Sequence, residues 1–368
     1  MTLRIGVDAR AAAEVPAGRG RFVRELLQAL ARRDDPHEYV LYARRPWTDA
    51  ALDGRFRWRL LDSAEPLWNA RVGLAAHRSS DVLFSVNSYL TGWFGRVPTA
   101  LNVFDLIAWK APAEAQGRAA AIERATISLA LRRAALIFCN AESTRRELTE
   151  RWPGASSRVV DLPLAASSVF ARRQPPGALE AIRSRSALEK PFVLAVGTLE
   201  PRKNLLRLME AFASLRADLR ESHVLAVAGP RGWEFESILE RAGQDSAVVL
   251  LGHVSDEELA ALYQQCRVFC YPSLYEGFGL PVLEAMSAGA AVITSDVSSL
   301  PEVAGDAALY ADPYDTRAIR NAITRLLDSP GEREVLQRRA RERAAKFSWD
   351  RTAERALAHL VAVARTPS

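Results

Sequence analysis

The chain has 368 residues, 49% of them hydrophobic and 25% charged, a make-up that excludes a disordered or fibrous protein and allows two folded domains. Its net charge of +5 suits anionic ligands, but the arginines fall in pairs on helical stretches without interleaved aromatics, so nucleic acid is not an expected partner. No run of 18 apolar residues occurs and Met1 leads directly into a strand pattern, so neither a membrane span nor a secretory leader is expected, and the expected location is the cytoplasm.

Short apolar runs alternate with helical patterns along the whole chain. In the first half the runs Leu3–Asp8, Tyr39–Ala43, Val82–Ser85, Thr99–Phe104, Leu136–Asn140 and Val159–Leu162 predict strands, and Arg21–Arg32, Gly117–Arg133 and Thr144–Arg151 predict helices. The stretch around Pro175, Pro176 and Gly177 has no strand pattern and reads as a linker. A second series follows. Phe192–Gly197, Val224–Ala228, Val248–Leu251, Val268–Tyr271 and Ala291–Ser295 predict strands. Leu205–Leu215, Asp256–Cys266 and Val282–Ala288 predict helices, the second opening on the capping-box pair Ser255 and Glu258. Three helical stretches close the chain: Thr316–Leu327, Glu332–Lys346 and Thr352–Ala364. The expected fold class is α/β, with two Rossmann-like, doubly wound domains facing a central cleft. The first spans residues 1–172, a linker 173–190 and the second domain 191–348.

Three segments carry candidate chemistry. Gly18 and Gly20 follow the first strand and open a helix, where backbone N–H groups can approach an anion. No G-x-G-x-x-G occurs, which speaks against a dinucleotide enzyme. Arg202 and Lys203 stand at the corresponding place in the second half, at what reads as an exposed helix entrance. With only four lysines against 45 arginines, a lysine in a motif is less incidental. The charged pair suits a diphosphate. Glu276 and Glu284 flank a glycine-containing loop that becomes a helix. Such carboxylates can accept hydrogen bonds from ribose and hexose hydroxyls. Cys139, Cys266 and Cys270 lie in apolar surroundings and read as structural.

The segments Val196–Phe212, Ala226–Trp233, Leu251–Tyr263 and Ser273–Pro313 resemble the retaining glycosyltransferases of family four, of GT-B fold, in their bacterial mannosyltransferase-like branch. The resemblance implies a retaining hexosyltransferase that moves a mannose-type or rhamnose-type sugar from a nucleoside diphosphate, expected to be GDP, to a polysaccharide or lipid-linked glycan. It implies that Glu276 holds donor-sugar hydroxyls and that Phe278, Gly279 and Leu280 offer backbone N–H groups. Glu284 would bind the ribose, and His253 and Val254 would line the base pocket. Arg202 and Lys203 would stabilise the leaving diphosphate, with Gly18 and Gly20 approaching it from the first domain. Asp105 would orient donor or acceptor, and the helix 349–366 would pack back on the first domain. No Asp-x-Asp occurs, so no metal and no cofactor is expected. Two departures bear on the substrate: Phe104 stands where the family commonly has histidine, and Cys139-Asn140-Ala141-Glu142 where it often has Val-Ser-Glu. An apolar wall at Phe104 would favour a 6-deoxyhexose donor, unless that ring belongs to the core. The alternatives are a nucleotide-sugar epimerase or hydrolase of the same fold, or a non-catalytic nucleotide-sugar-binding subunit. The basic stretch Gly117–Arg133 could touch acidic membrane.

Overall fold

The computed structural model describes residues 2–366 apart from 16–17, 49–51, 65–66, 87, 112–114 and 187. The chain forms two units. One comprises Met1–Lys110, Gly117–Leu164 and Ser348–Ser368, the other Ala111–Gln116 and Ala165–Phe347. Ala17, beside the predicted glycine pair, lies outside the described residues.

The first unit is built on β1 (Arg4–Asp8), β2 (Glu38–Ala43), β3 (Phe56–Leu60), β4 (Val82–Ser85), β5 (Thr99–Val103), β6 (Leu136–Cys139) and β7 (Val159–Asp161), in the order β3-β2-β1-β4-β5-β6-β7. All neighbouring pairs are parallel. Every residue of β4, β5 and β6 is buried, so these strands read as near-continuous apolar runs rather than alternating ones, broken in β5 by the buried Asn102. β3 gives no such run. Arg57 and Arg59 alternate with Phe56 and Trp58, a charged pattern suited to a sheet edge. The last helix, Trp349–Arg365, lies on this unit. Its Trp349 ring meets Phe22 at 5.9 Å, Thr352 donates to the Pro163 carbonyl at 2.6 Å, and Asp350 pairs with Arg32 at 2.6 Å.

The second unit holds β8 (Phe192–Val196), β9 (Val224–Ala228), β10 (Val248–Gly252), β11 (Val268–Tyr271), β12 (Val292–Ser295) and β13 (Ala308–Ala311), ordered β10-β9-β8-β11-β12-β13 and parallel. Its core joins β8, β9 and β11 to Leu205, Leu208, Met209 and Phe212 of one covering helix and Ile319, Ile323 and Leu326 of another. The predicted capping box is present. Ser255 accepts from the Glu258 N–H, and Glu258 accepts from that of Ser255.

The expected boundary at residue 172 and linker 173–190 need correction. The division falls after Leu164, and the supposed linker carries the helices Ser168–Ala171 and Pro176–Arg183. Phe170 stacks edge-on against Tyr263 at 5.9 Å, and Gln174 is bonded to Gln264. Leu179 and Ile182 are buried at helical spacing. The prolines that suggested a linker are a helix start.

Candidate active site

In each sheet the strand order reverses direction beside the first strand, at β1/β4 and at β8/β11. Parallel sheets bind ligands at the carboxyl ends of the strands flanking such a point. In the second unit the loops leaving β8 and β11 are the ones that carry Arg202, Lys203 and Glu276.

The loop after β8 is shaped by its residues. Gly197 has φ +144°, and a Cβ there would lie 3.1–3.4 Å from the Lys203 methylenes, so the lysine stem runs across bare backbone. A short 3₁₀ turn, Pro201–Lys203, ends at Asn204 in the left-handed region (φ 58°, ψ 32°), which asparagine tolerates. The Asn204 amide donates to the carbonyls of Pro272 (2.9 Å) and Pro313 (2.6 Å), while the Leu274 N–H donates to the Arg202 carbonyl at 2.9 Å. These bonds fix the first loop against the second.

The charges then meet. Glu276 Oε1 accepts from Lys203 Nζ (2.6 Å), Tyr271 O–H (2.7 Å) and Ser273 O–H (2.7 Å), and Oε2 pairs with Arg202 Nη1 at 2.7 Å. Arg202 also pairs with Glu200 at 2.6 Å, and Lys203 donates to the Tyr271 oxygen. Ser298 accepts from the Glu276 N–H, and Ser299 donates to its carbonyl. Burial opposes the Glu276 charge, but Arg202 and Lys203 outweigh it and hold the carboxyl far below its ordinary range. Burial, with Arg202 alongside, lowers the Lys203 ammonium, against the pull of Glu276. For Arg202 burial is overcome by Glu276 and Glu200, and its pKa rises. The expectation of an exposed helix entrance is overturned: Lys203 and Glu276 are each only 8% exposed. Tyr271, Ser273 and Glu200 were not singled out for this network. The available signal was a tyrosine closing a buried strand just before Pro272-Ser273.

Directly after Glu276, Gly279 (φ +97°) turns the chain into the helix Leu280–Ala288, whose start has no side-chain cap. The positive end of its dipole is the kind that suits an anion. Phe278 is buried edge-on against Phe347 at 6.0 Å, and Glu284 is buried in the helix. His253 is exposed and Val254 buried after β10, at the same end of the sheet but two strands from β8.

Gly18, Gly20 and Asp105 belong to the first unit. Gly18 (φ 53°) begins the helix Arg19–Ala31. Gly20 is there for packing: a Cβ would sit 1.7 Å from the Val15 carbonyl oxygen. Asp105 accepts from the Ile107 N–H at 3.1 Å and so caps a turn. Phe104 stacks edge-on with Phe22 at 5.4 Å, with the Arg19 guanidinium 5.5 Å above its ring. The three cysteines are free and buried, and no group of metal-ligating side chains occurs among the described residues.

Residues 180–343 match the family model of the glycosyl transferases group 1. The chain is 40% identical over 220 residues to O-antigen chain mannosyltransferase B of Escherichia coli, covering 59% of this chain and 58% of that one. Against a serotype-specific mannosyltransferase, WbdA, of the same organism, identity is 34% over 231 residues, 61% of this chain and 28% of the relative. The chain thus spans less than two thirds of the length of these relatives. Sucrose-phosphate synthase from Thermosynechococcus elongatus superposes with a TM-score of 0.77 at 20% identity, over 97% of this chain and 98% of that one. The fold is that of the GT-B glycosyltransferases.

Proposed function

We propose that this protein is a retaining glycosyltransferase that moves a mannose-type hexose from a GDP-linked donor to a glycan acceptor of a surface polysaccharide. The observation that carries the reading is the joining of the half-buried Arg202 with the buried Lys203 and Glu276, just before the start of Leu280–Ala288 at the carboxyl end of a parallel sheet. Two cations beside the positive end of a helix suit a leaving diphosphate, and oriented charge of this kind is the main device such a transfer needs. In the proposed step the bond from the anomeric carbon to the phosphate oxygen breaks, and the acceptor oxygen bonds to that carbon on the same face. The acceptor proton passes to the departing phosphate. Glu284 is the proposed ribose acceptor.

The mannosyltransferase names of the relatives favour mannose, and the half-buried Phe104 ring, packed edge-on against Phe22, supports a packing role over a wall for a 6-deoxyhexose. A donor-hydrolysis screen of GDP-, UDP-, ADP- and dTDP-sugars, with and without a mannan oligosaccharide, tests the reading. GDP-mannose turnover stimulated by the glycan is expected in the presence of EDTA. Turnover that ignores every glycan acceptor would favour the hydrolase alternative.

We further propose peripheral contact with acidic membrane through the first unit. No helix among the described residues is long and apolar enough to cross a membrane. The helix Leu67–Ser79, which has no acidic residue, exposes Leu67, Arg71, Leu74 and Arg78 along one stripe. Through Tyr89–Phe94 it shares a layer with Gly117–Arg133, which exposes Arg118 and Ile122.

A further inference from the structure

Both cations of the candidate site are already neutralised by the protein itself. Lys203 and Arg202 each hold an oxygen of Glu276 at 2.6–2.7 Å, and Arg202 holds Glu200 as well. Glu276 in turn has no oxygen left over for a sugar hydroxyl in this arrangement without giving up part of this set. Oε1 already accepts three hydrogen bonds and Oε2 faces a guanidinium. A diphosphate entering here meets not an open clamp but an occupied one.

We propose that Glu276 is the resting counter-anion of Arg202 and Lys203, that a diphosphate displaces it from them, and that Tyr271 and Ser273 are positioning residues which hold the released carboxylate. The inference rests on the nucleotide-sugar reading above and deepens it. The exchange costs little because the carboxylate is not set adrift. The hydroxyls of Tyr271 and Ser273 both point at Oε1, and its backbone is tied on both sides by Ser298 and Ser299. The tyrosine is the pivot. Its oxygen accepts from Lys203 while its proton goes to Glu276, so it keeps the carboxylate bonded when the ammonium leaves. The exchange also gives Glu276 a reason to be a carboxylate before any sugar arrives: two buried cations without an anion would be costly. Once freed, its Oε2 becomes the acceptor that a donor-sugar hydroxyl can use, so arrival of the diphosphate and readiness for the sugar are linked.

The test is calorimetric titration of the full chain with GDP and with inorganic pyrophosphate, for wild type, Glu276→Gln and Tyr271→Phe. If Glu276 competes with the diphosphate, Glu276→Gln binds both probes roughly tenfold or more tighter than wild type, since a charge-assisted competitor is gone. Tyr271→Phe binds them several-fold more weakly, because the released carboxylate is poorer in bonds. Opposite signs are the signature. Unchanged affinity for both probes in Glu276→Gln, or weaker binding in both variants, overturns the proposal. Should Glu276→Gln not fold alone, Tyr271→Phe decides: unchanged pyrophosphate affinity there overturns it. Wild type that binds neither probe overturns the functional reading itself, a result distinct from binding without exchange.

Discussion

Lys203 is buried with Glu276 2.6 Å from it, so removing the lysine acts on both chemistry and folding. Lys203→Ala is expected to lower turnover by about 10²–10³, as loss of one electrostatic stabiliser does. It also leaves a buried carboxylate with Arg202 as its remaining cation. A destabilisation of about 2–3 kcal/mol is expected, somewhat under the cost of breaking a buried pair completely. Steady-state kinetics and urea unfolding of the same preparation check the two parts, and wild-type turnover would end the assignment. Glu123 in the first unit is a second residue with a physical handle. It is half-buried, with Tyr89 O–H 3.5 Å from Oε1, and burial followed by the charge of Asp105 pushes its pKa up to about 7. Its folded pKa is therefore above its unfolded value. Between the two the folded chain holds a proton that the unfolded chain lacks, so its stability is greatest below about pH 4.5 and is lost as pH rises through about 7. Urea unfolding at pH 5 and pH 8 should show wild type losing about 1–2 kcal/mol relative to Glu123→Gln. Identical pH dependence in the two proteins would contradict this.

At the level of elements, Gly18 and Gly20 look alike in sequence and differ in cause. Gly20 lets the helix Arg19–Ala31 approach the Val15 carbonyl, where a methyl group would sit 1.7 Å from the oxygen. Gly20→Ala must therefore push two backbones apart, and a loss of about 3 kcal/mol or more is expected. Gly18 has open space around it and only a positive φ, so Gly18→Ala should cost about 1 kcal/mol. Thermal unfolding of the two variants checks the order, and equal losses would refute the distinction. The same contrast explains what the sequence made legible. Strands buried on both faces, such as β4, β5 and β11, announce themselves as apolar runs, and the capping box of Asp256–Gln265 is a local signal. The edge strand β3 carries no run, because Arg57 and Arg59 alternate with Phe56 and Trp58, and Leu67–Ser79 hides its period behind exposed leucines. Within the site, the charged residues were readable by type and spacing. Their burial was not, since it follows from Asn204 and Leu274 locking two loops that are about 70 residues apart in the chain.

For the molecule as a whole, the charge of +5 is less informative than its distribution. Leu67–Ser79 and Tyr89–Phe94 contain no carboxylate, and Gly117–Arg133 contains one, the half-buried Glu123. Their outer faces combine Leu67, Leu74, Phe94 and Ile122 with Arg71, Arg78 and Arg118. Arginines spread over a surface are ordinarily solvated, and exposed leucines singly need no explanation. Both on one layer suit a headgroup region, where each arginine contributes about 1 kcal/mol and apolar side chains reach past it. A patch of this size gives reversible binding that should weaken as salt screens it. Sedimentation with vesicles containing about 30% acidic lipid at low salt is the measurement. Wild type should co-sediment with acidic and not with neutral vesicles. Replacing Arg71 and Arg78 by glutamate should abolish binding while leaving turnover on a soluble acceptor intact, because both lie on the outer face of a helix. Replacing Leu67 and Leu74 by serine separates the two contributions: if insertion matters it weakens binding at high salt more than at low salt, where the arginines still hold. Equal sedimentation with neutral and acidic vesicles, or no effect of the arginine replacement, would remove the membrane from the account of this chain.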